Sequence, residues 1–182
     1  LGFSLEQLER KEEFSLENIL AQTLEVIKPY EDACGRKIPL IVAGGIYTGH
    51  DIARMLARGA SGVQMGTRFV ATHECPVSPE FKQAYIEATA QDLRIIKSPV
   101  GMPGRVLAND FLQRLHKGEV PKPKCPFHCI ISCERKNAGF CIAEQLNNSY
   151  RGNIDDGLIF CGANVHRVDT IMSVQDLVTE LM

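Results

Sequence analysis

The sequence predicts an α/β fold built around parallel strands. Three observations carry this: the apolar, β-branched run Ile38 to Ala43 ends in Gly44-Gly45, a second run from Gly62 to Met65 ends in Gly66-Thr67, and a capped helix lies between them. Strand, crossover helix and strand in fewer than thirty residues is the minimal βαβ unit, because parallel strands cannot be joined by a tight turn.

Taken in order, Leu16, Ile19, Leu20, Leu24, Val26 and Ile27 recur at helical spacing up to Tyr30, behind Ser15, a capping residue. Pro29 predicts an irregular last turn, and Cys34-Gly35-Arg36-Lys37 a break before the first strand. The near-continuous apolar character of Ile38 to Ala43 predicts a strand covered on both faces. Thr48, three residues before Asp51, caps a helix carrying Ile52, Met55 and Leu56 that stops at Arg58-Gly59. Ser78-Pro79-Glu80 starts a further helix with proline at its first position, and Phe81, Ala84, Tyr85 and Ala88 form its face.

Arg94 to Lys97 reads as extended, and Ser98 to Arg105, dense in turn formers, as an ordered loop over a site in which Val100 and Met102 require burial. A helix from about Ala108 to His116 follows. Gly118 to Pro126, with three prolines, is the best candidate boundary and divides residues 1–117 from 118–182. Beyond it come a group of cysteines, a helix over Ala143 to Tyr150, a Gly-rich apolar stretch from Gly157 to Ala163, and a last helix capped by Ser173 with Asp176 in its first turn.

The 182 residues, 45% hydrophobic and 23% charged, suit an ordinary globular core rather than a disordered or fibrous chain. A formal charge of -2 offers no footprint for a polyanion, which argues against nucleic acid as a partner. Apolar runs are strand-sized, well short of a membrane helix, so no membrane partner is expected. Seven cysteines, five of them from Cys125 onward, fit reduced thiols in the cytoplasm better than a secreted disulfide framework.

Two strands that both end in glycine, on the carboxyl side of a parallel unit, mark the place where α/β proteins bind ligands. Glycine lets main-chain N–H groups approach an anion without an intervening Cβ. Gly44, Gly45, Gly66 and Thr67 are therefore candidate phosphate ligands, although a tight turn would use the same residues.

The run Ile38-Pro39-Leu40-Ile41-Val42-Ala43-Gly44-Gly45-Ile46-Tyr47-Thr48-Gly49, followed by Gly59 to Thr72, resembles the nitronate monooxygenase (2-nitropropane dioxygenase-like) family of FMN enzymes. Lys97-Ser98-Pro99-Val100-Gly101-Met102-Pro103-Gly104-Arg105, and Gly162-Ala163-Asn164 with Arg167-Val168, resemble it too. The resemblance implies a (β/α)8 TIM barrel in which the strands ending at Gly45 and Gly66 are the seventh and eighth. Since 182 residues are too few for a complete barrel, the expected fold is its C-terminal part, residues 1–117, with a helical, cysteine-containing extension over 118–182.

The same resemblance implies FMN as cofactor, its phosphate on Gly44, Gly45, Gly66 and Thr67, with Gln64 and Met65 near the flavin or simply strand core. Arg68 is expected to form an ion pair behind the site. The implied reaction converts an alkyl nitronate and oxygen to a carbonyl compound and nitrite. The related flavin-dependent enoyl reductases, which use NAD(P)H, share the Gly-Gly and Gly-Thr-Arg-Phe elements and are the alternative. In the family an acid/base histidine precedes a stretch resembling Leu1-Gly2-Phe3, so that histidine and the N-terminal barrel half are expected upstream of this chain, which alone is expected to be inactive. No catalytic residue is assigned within it: His50, His73, His116 and His166 read as surface or loop residues.

Cys125, Cys129, Cys133 and Cys141 fall within seventeen residues, and on a helix the first three would form one stripe of thiols. Thiolates so placed could hold zinc or an iron–sulfur cluster; packing or redox-sensitive thiols are the other reading, with Cys161 in the core near Phe160. A metal-stabilised interaction module is thus the functional alternative from outside enzymology.

Overall fold

Two small sheets and eight α-helices make up the computed structural model, which describes residues 4–10, 12–125, 129, 131–134 and 136–182. A five-residue helix, α1 (Leu5–Glu9), opens on a capping box formed by Ser4 and Gln7. Helix α2 (Leu16–Cys34) starts where Ser15 accepts from the Asn18 amide and ends at Gly35, whose φ of 66° supplies the left-handed cap. Pro29 lies inside it. The last turn is therefore helical, contrary to expectation: proline removes one amide bond, and the remaining residues of the turn still close onto Gly35.

Leu20 of α2 packs with Val42, Ile46, Met55 and Ala60 to form the core of the βαβ unit. Strand β1 (Ile41–Ala43), helix α3 (Gly49–Ala57) and strand β2 (Gly62–Gln64) follow in sequence. The strands pair in parallel, Ile41 with Gly62, Val42 with Val63 and Ala43 with Gln64. The expected strand from Ile38 is shortened, and its burial alternates: Val42 is buried while Ile41 is 55% exposed. An apolar run had suggested two covered faces. Val42 points to the face packed by Leu20 of α2 and Met55 of α3, whereas Ile41 points to the opposite face, which is left largely uncovered among the described residues. The capping box of α3 forms as read, Thr48 Oγ1 accepting from the Asp51 amide at 3.2 Å and Asp51 Oδ2 from the Thr48 amide at 3.0 Å.

Helix α4 (Thr67–Val70) comes directly off β2, and α5 (Pro79–Ile86) begins at Ser78 as its sequence dictates. Strands β3 (Leu93–Lys97) and β4 (Pro103–Leu107) then form an antiparallel hairpin. The second strand takes up the end of the segment read as a loop: Pro103 sits at its first position, where a missing amide is tolerated. Val100 is half-buried, but Met102 is 56% exposed, so its burial is not required by the turn.

Asn109 caps α6 (Asp110–Lys117) and donates to the carbonyls of Ile154 and Gly157 at 2.7 and 2.8 Å. This starts the helix two residues later than the apolar pattern suggested. Phe111 meets Phe140 edge to face, their centroids 5.6 Å apart, within a cluster that includes Ile96, Val106, Leu112 and Leu158. Helix α7 (Ile142–Tyr150) and helix α8 (Val174–Leu181) complete the chain. Between them Leu107 donates to the Ile159 carbonyl and Cys161 to that of Arg105, each at 3.0 Å, so the Gly157 to Ala163 stretch lines the free edge of β4.

The chain shows a mixed α/β architecture, and no closed barrel is present among the described residues. Cys125, Cys129 and Cys133 are not helical, so the anticipated helical stripe of thiols does not form. No described helix is long and apolar enough to cross a membrane.

Candidate phosphate-binding site

Gly44 and Gly45 leave β1 with φ of 95° and 74°, values that side-chain-bearing residues adopt at a cost. The last register pair is Ala43 with Gln64, so Gly45 and Gly66 each follow the end of paired strand by two residues. The two glycines are exposed, and a Cβ built on either would meet nothing within 4 Å. Among the described residues, no backbone acceptor meets the N–H of Gly45 or Gly66. Both strand ends thus carry an exposed glycine with room at its Cβ position and an N–H that no backbone acceptor takes up among the described residues, features that an anion site uses.

The rear of this ledge is bonded to the C-terminal part of the chain. The Gly162 amide donates to Thr67 Oγ1 at 2.9 Å, so the Thr67 hydroxyl keeps its own proton for a ligand. At Gly162 a Cβ would come within 2.5 Å of that oxygen, which is why glycine stands there. Asn164 Nδ2 donates to the Gly45 carbonyl at 2.9 Å and holds that peptide in one orientation. These partners are 95 and 119 residues apart, and nothing in local spacing could have paired them.

Immediately after the glycines, Tyr47 is buried with its hydroxyl donating to the Arg167 carbonyl at 2.6 Å. The guanidinium carbons of Arg68 and Arg167 stand 4.6 and 4.2 Å from its ring centroid. Burial raises the Tyr47 phenol above its ordinary value, with the two arginines opposing that effect. Arg68 is itself buried and grips Glu180 through both guanidinium nitrogens at 3.0 and 2.9 Å. It is the ion pair behind the site that the sequence suggested. Glu180 is held below the ordinary carboxylate range by the Arg68 hydrogen bond and charge, which outweigh its desolvation. Desolvation would raise the Asp51 carboxyl too, yet hydrogen bonds from the Thr48 and Tyr47 amides and the Thr48 hydroxyl, with Arg54, bring it down.

Gln64 is exposed at the end of β2 and Met65 packs partly against the βαβ core. His50, His73, His116 and His166 are exposed, and His128 lies outside the described residues. Cys161 is half-buried beside the Phe81–Tyr85 cluster, and burial pushes its thiol up to about 12 against the charge of Arg105. Sequence reading marked Tyr47, Asn164 and Arg167 only as parts of family-like motifs and passed over Glu180; the supporting role of all four comes from the fold.

A parallel strand pair joined by a crossover helix is an α/β unit, and in proteins of this class ligands bind at the carboxyl ends of the strands. Comparison with known proteins narrows this: the nitronate monooxygenase family matches residues 2–182, and the chain belongs to that family. It is 35% identical over 140 residues to the Mycobacterium tuberculosis (3aS,4S,5R,7aS)-5-hydroxy-7a-methyl-1-oxo-octahydro-1H-indene-4-carboxyl-CoA dehydrogenase, covering 76% of this chain and 37% of that protein. A probable nitronate monooxygenase of Staphylococcus aureus is 30% identical over 137 residues, covering 75% of this chain and 37% of its own length. Among solved structures, a nitroalkane oxidase from Streptomyces ansochromogenes superposes with a TM-score of 0.65 at 25% identity, over 91% of this chain and 42% of that one. The chain thus spans little more than a third of these curated relatives, and the likeness to a solved oxidase supports a TIM-barrel-type α/β fold.

Proposed function

We propose that this chain is the phosphate-holding, C-terminal part of an FMN-dependent nitronate monooxygenase, with residues 1–117 contributing to the barrel and 118–182 forming an extension packed on it. One observation carries the reading: at the ends of two neighbouring parallel strands, Gly45 and Gly66 are exposed, have room at the Cβ position and give their N–H to no backbone acceptor among the described residues. Those residues fit an FMN phosphate. Gly44 and Gly45 would give it close main-chain approach, Gly66 an amide from the adjacent strand, and Thr67 a hydroxyl proton left unspent by its bond from Gly162.

When bound, the flavin supplies the electron-accepting chemistry by which an alkyl nitronate and oxygen become a carbonyl compound and nitrite. The chain's own part is positional. Asn164 fixes the Gly45 peptide, and the Arg68–Glu180 pair holds the residue after the second glycine strand end in place while its positive charge is spent on Glu180 rather than on the ligand.

The test uses the full-length protein with FMN, an alkyl nitronate and oxygen, following flavin absorbance and nitrite release. Stoichiometric yellow protein that bleaches anaerobically with nitronate supports the proposal. A protein that stays colourless with FMN overturns it. The similarity to a CoA-ester dehydrogenase favours a second reading, a nicotinamide-linked oxidoreductase such as an enoyl reductase. Rapid bleaching by NADPH together with inertness to nitronate selects that one instead.

A further inference from the structure

The segment Ser98 to Arg105, which the sequence marks as lying over a site, ends on an arginine to which the fold gives no partner. Arg105 lies on β4, half-buried, and its guanidinium enters no hydrogen bond or ion pair among the described residues. A guanidinium carries five N–H donors and a charge that it cannot give up, so drawing it out of water unpaired costs free energy.

Strand register fixes its surroundings. Arg105 pairs with Ile95 and Leu107 with Leu93, and side chains two residues apart on a strand share a face. At one end of that face Leu93 and Leu107 pack into the Phe81–Tyr85 cluster, whereas Ile95 is 41% exposed. Arg105 thus stands where the covered end of the hairpin face gives way to the open one. On the outer edge of β4 the Cys161 amide donates to the Arg105 carbonyl at 3.0 Å, and the next amide, that of Gly162, donates to Thr67 Oγ1 at 2.9 Å. Two consecutive residues therefore tie Arg105 to the glycine ledge. Its charge is felt by the Cys161 thiol, where it opposes the effect of burial.

Three other cations near the ledge are already engaged. Arg68 grips Glu180, the Arg167 guanidinium lies over the Tyr47 ring, and the buried Lys82 donates to the Thr72 carbonyl at 2.6 Å. A phosphate or a nitronate brings negative charge that amide and hydroxyl donors alone do not balance, and arginine meets a pair of such oxygens with two parallel N–H groups.

We propose that Arg105 binds an oxyanion of the ligand held at the glycine ledge, either the phosphate monoester of FMN or the paired oxygens of the alkyl nitronate. The inference rests on the reading of the ledge as a flavin site, and adds to it a positive charge not already spent on the protein.

The experiment uses the full-length protein. Affinities for FMN and for riboflavin, which lacks the phosphate, are read from flavin fluorescence, and KM and kcat for ethylnitronate from nitrite release. If the phosphate is the anion, Arg105→Gln should weaken FMN binding by about tenfold or more and leave riboflavin within about twofold. If the nitronate is the anion, the same variant should keep its FMN affinity and raise KM by about tenfold, with kcat little changed. In both cases Arg105→Lys should recover part of the loss, because the charge returns without the fork. FMN affinity and KM both unchanged in folded Arg105→Gln overturn the proposal, and so do equal losses for FMN and riboflavin, which mark a structural role. A second readout needs no variant: in the wild-type protein phenylglyoxal should modify Arg105, and FMN or nitronate should block it, as peptide mass spectrometry shows. Modification that neither ligand slows overturns the proposal. Wild-type protein that takes up neither flavin overturns the flavin reading together with this one, whereas FMN binding to which Arg105 is indifferent, with KM unmoved, overturns this inference alone.

Discussion

The parallel pair β1–β2 and the antiparallel hairpin β3–β4 solve opposite problems. The hairpin finishes its own structure: Ile96, Val106 and Leu107 are buried, and the Phe160 segment bonds to the outer edge of β4. The parallel pair has three residues in each strand, leaves Ile41 more than half exposed, and relies on Gly162, Asn164 and Glu180 from the far end of the chain to order its carboxyl end. The difference bears on where the proposed phosphate site lies. Amides are available to a ligand only where the sheet has not already used them, whereas along β4 the edge is taken up by the Ile159–Cys161 segment and contributes stability instead.

If this division is right, substitutions at the two regions separate binding from folding. The largest effect is expected from Gly66→Asp in the full-length protein. The open space accepts the side chain, but its charge opposes a phosphate, so FMN affinity should fall by about 100-fold or more, equivalent to roughly 3 kcal/mol, with the unfolding midpoint little changed. Equal losses of folding and affinity would break the comparison.

On the other side, Gly157→Ala should act on folding alone. Its Cβ would come within 2.6 Å of the Ser149 backbone nitrogen, where Ser149 is fully buried and its hydroxyl donates to the Leu158 carbonyl at 2.7 Å. Overpacking of this kind costs about 1–3 kcal/mol, read from denaturant midpoints, while FMN affinity per folded molecule stays constant.

Glu180→Gln sharpens the same contrast through pH. It leaves the buried Arg68 with a neutral partner and should cost about 1 kcal/mol at neutral pH, discounted because the Glu180 side chain is 52% exposed. The sign follows from the lowered carboxyl. Its contribution is complete above the ordinary value of 4.5 and is lost as pH falls through the lower folded value. Wild type should therefore lose more stability than the variant between about pH 5 and pH 3, a difference that equilibrium unfolding at several pH values measures.

The smallest expected effect is that of Asn164→Ala. It removes one hydrogen bond to the Gly45 carbonyl, worth about 1 kcal/mol. FMN affinity should drop several-fold, roughly 3- to 5-fold, by isothermal titration. No change would mean that the Gly45 peptide is already held by β1 and that the C-terminal bond is incidental.

Local chemistry made much of this protein legible in one dimension. Thr48 with Asp51, Ser78 with Pro79 and Ser173 with Asp176 announce helix starts because a cap and the amide it satisfies are three residues apart. The glycine ends of β1 and β2 are equally plain, as is the βαβ order joining them. Burial was less so: Ile41 looks like a core residue by composition, and only the packing of the tertiary structure, which covers the Val42 face and not the Ile41 face among the described residues, reveals its exposure.

What residue order alone established is thus the element sequence, the glycine ledge and the density of cysteines in one segment. What folding decided is the company each keeps. Asn164 meets Gly45, Gly162 meets Thr67, and Arg68 meets Glu180. The physical reason is range. Capping, turn and periodicity signals act over three or four residues, so they are written in the neighbouring letters, whereas a bond spanning a hundred residues is set by how whole elements pack and leaves no local mark.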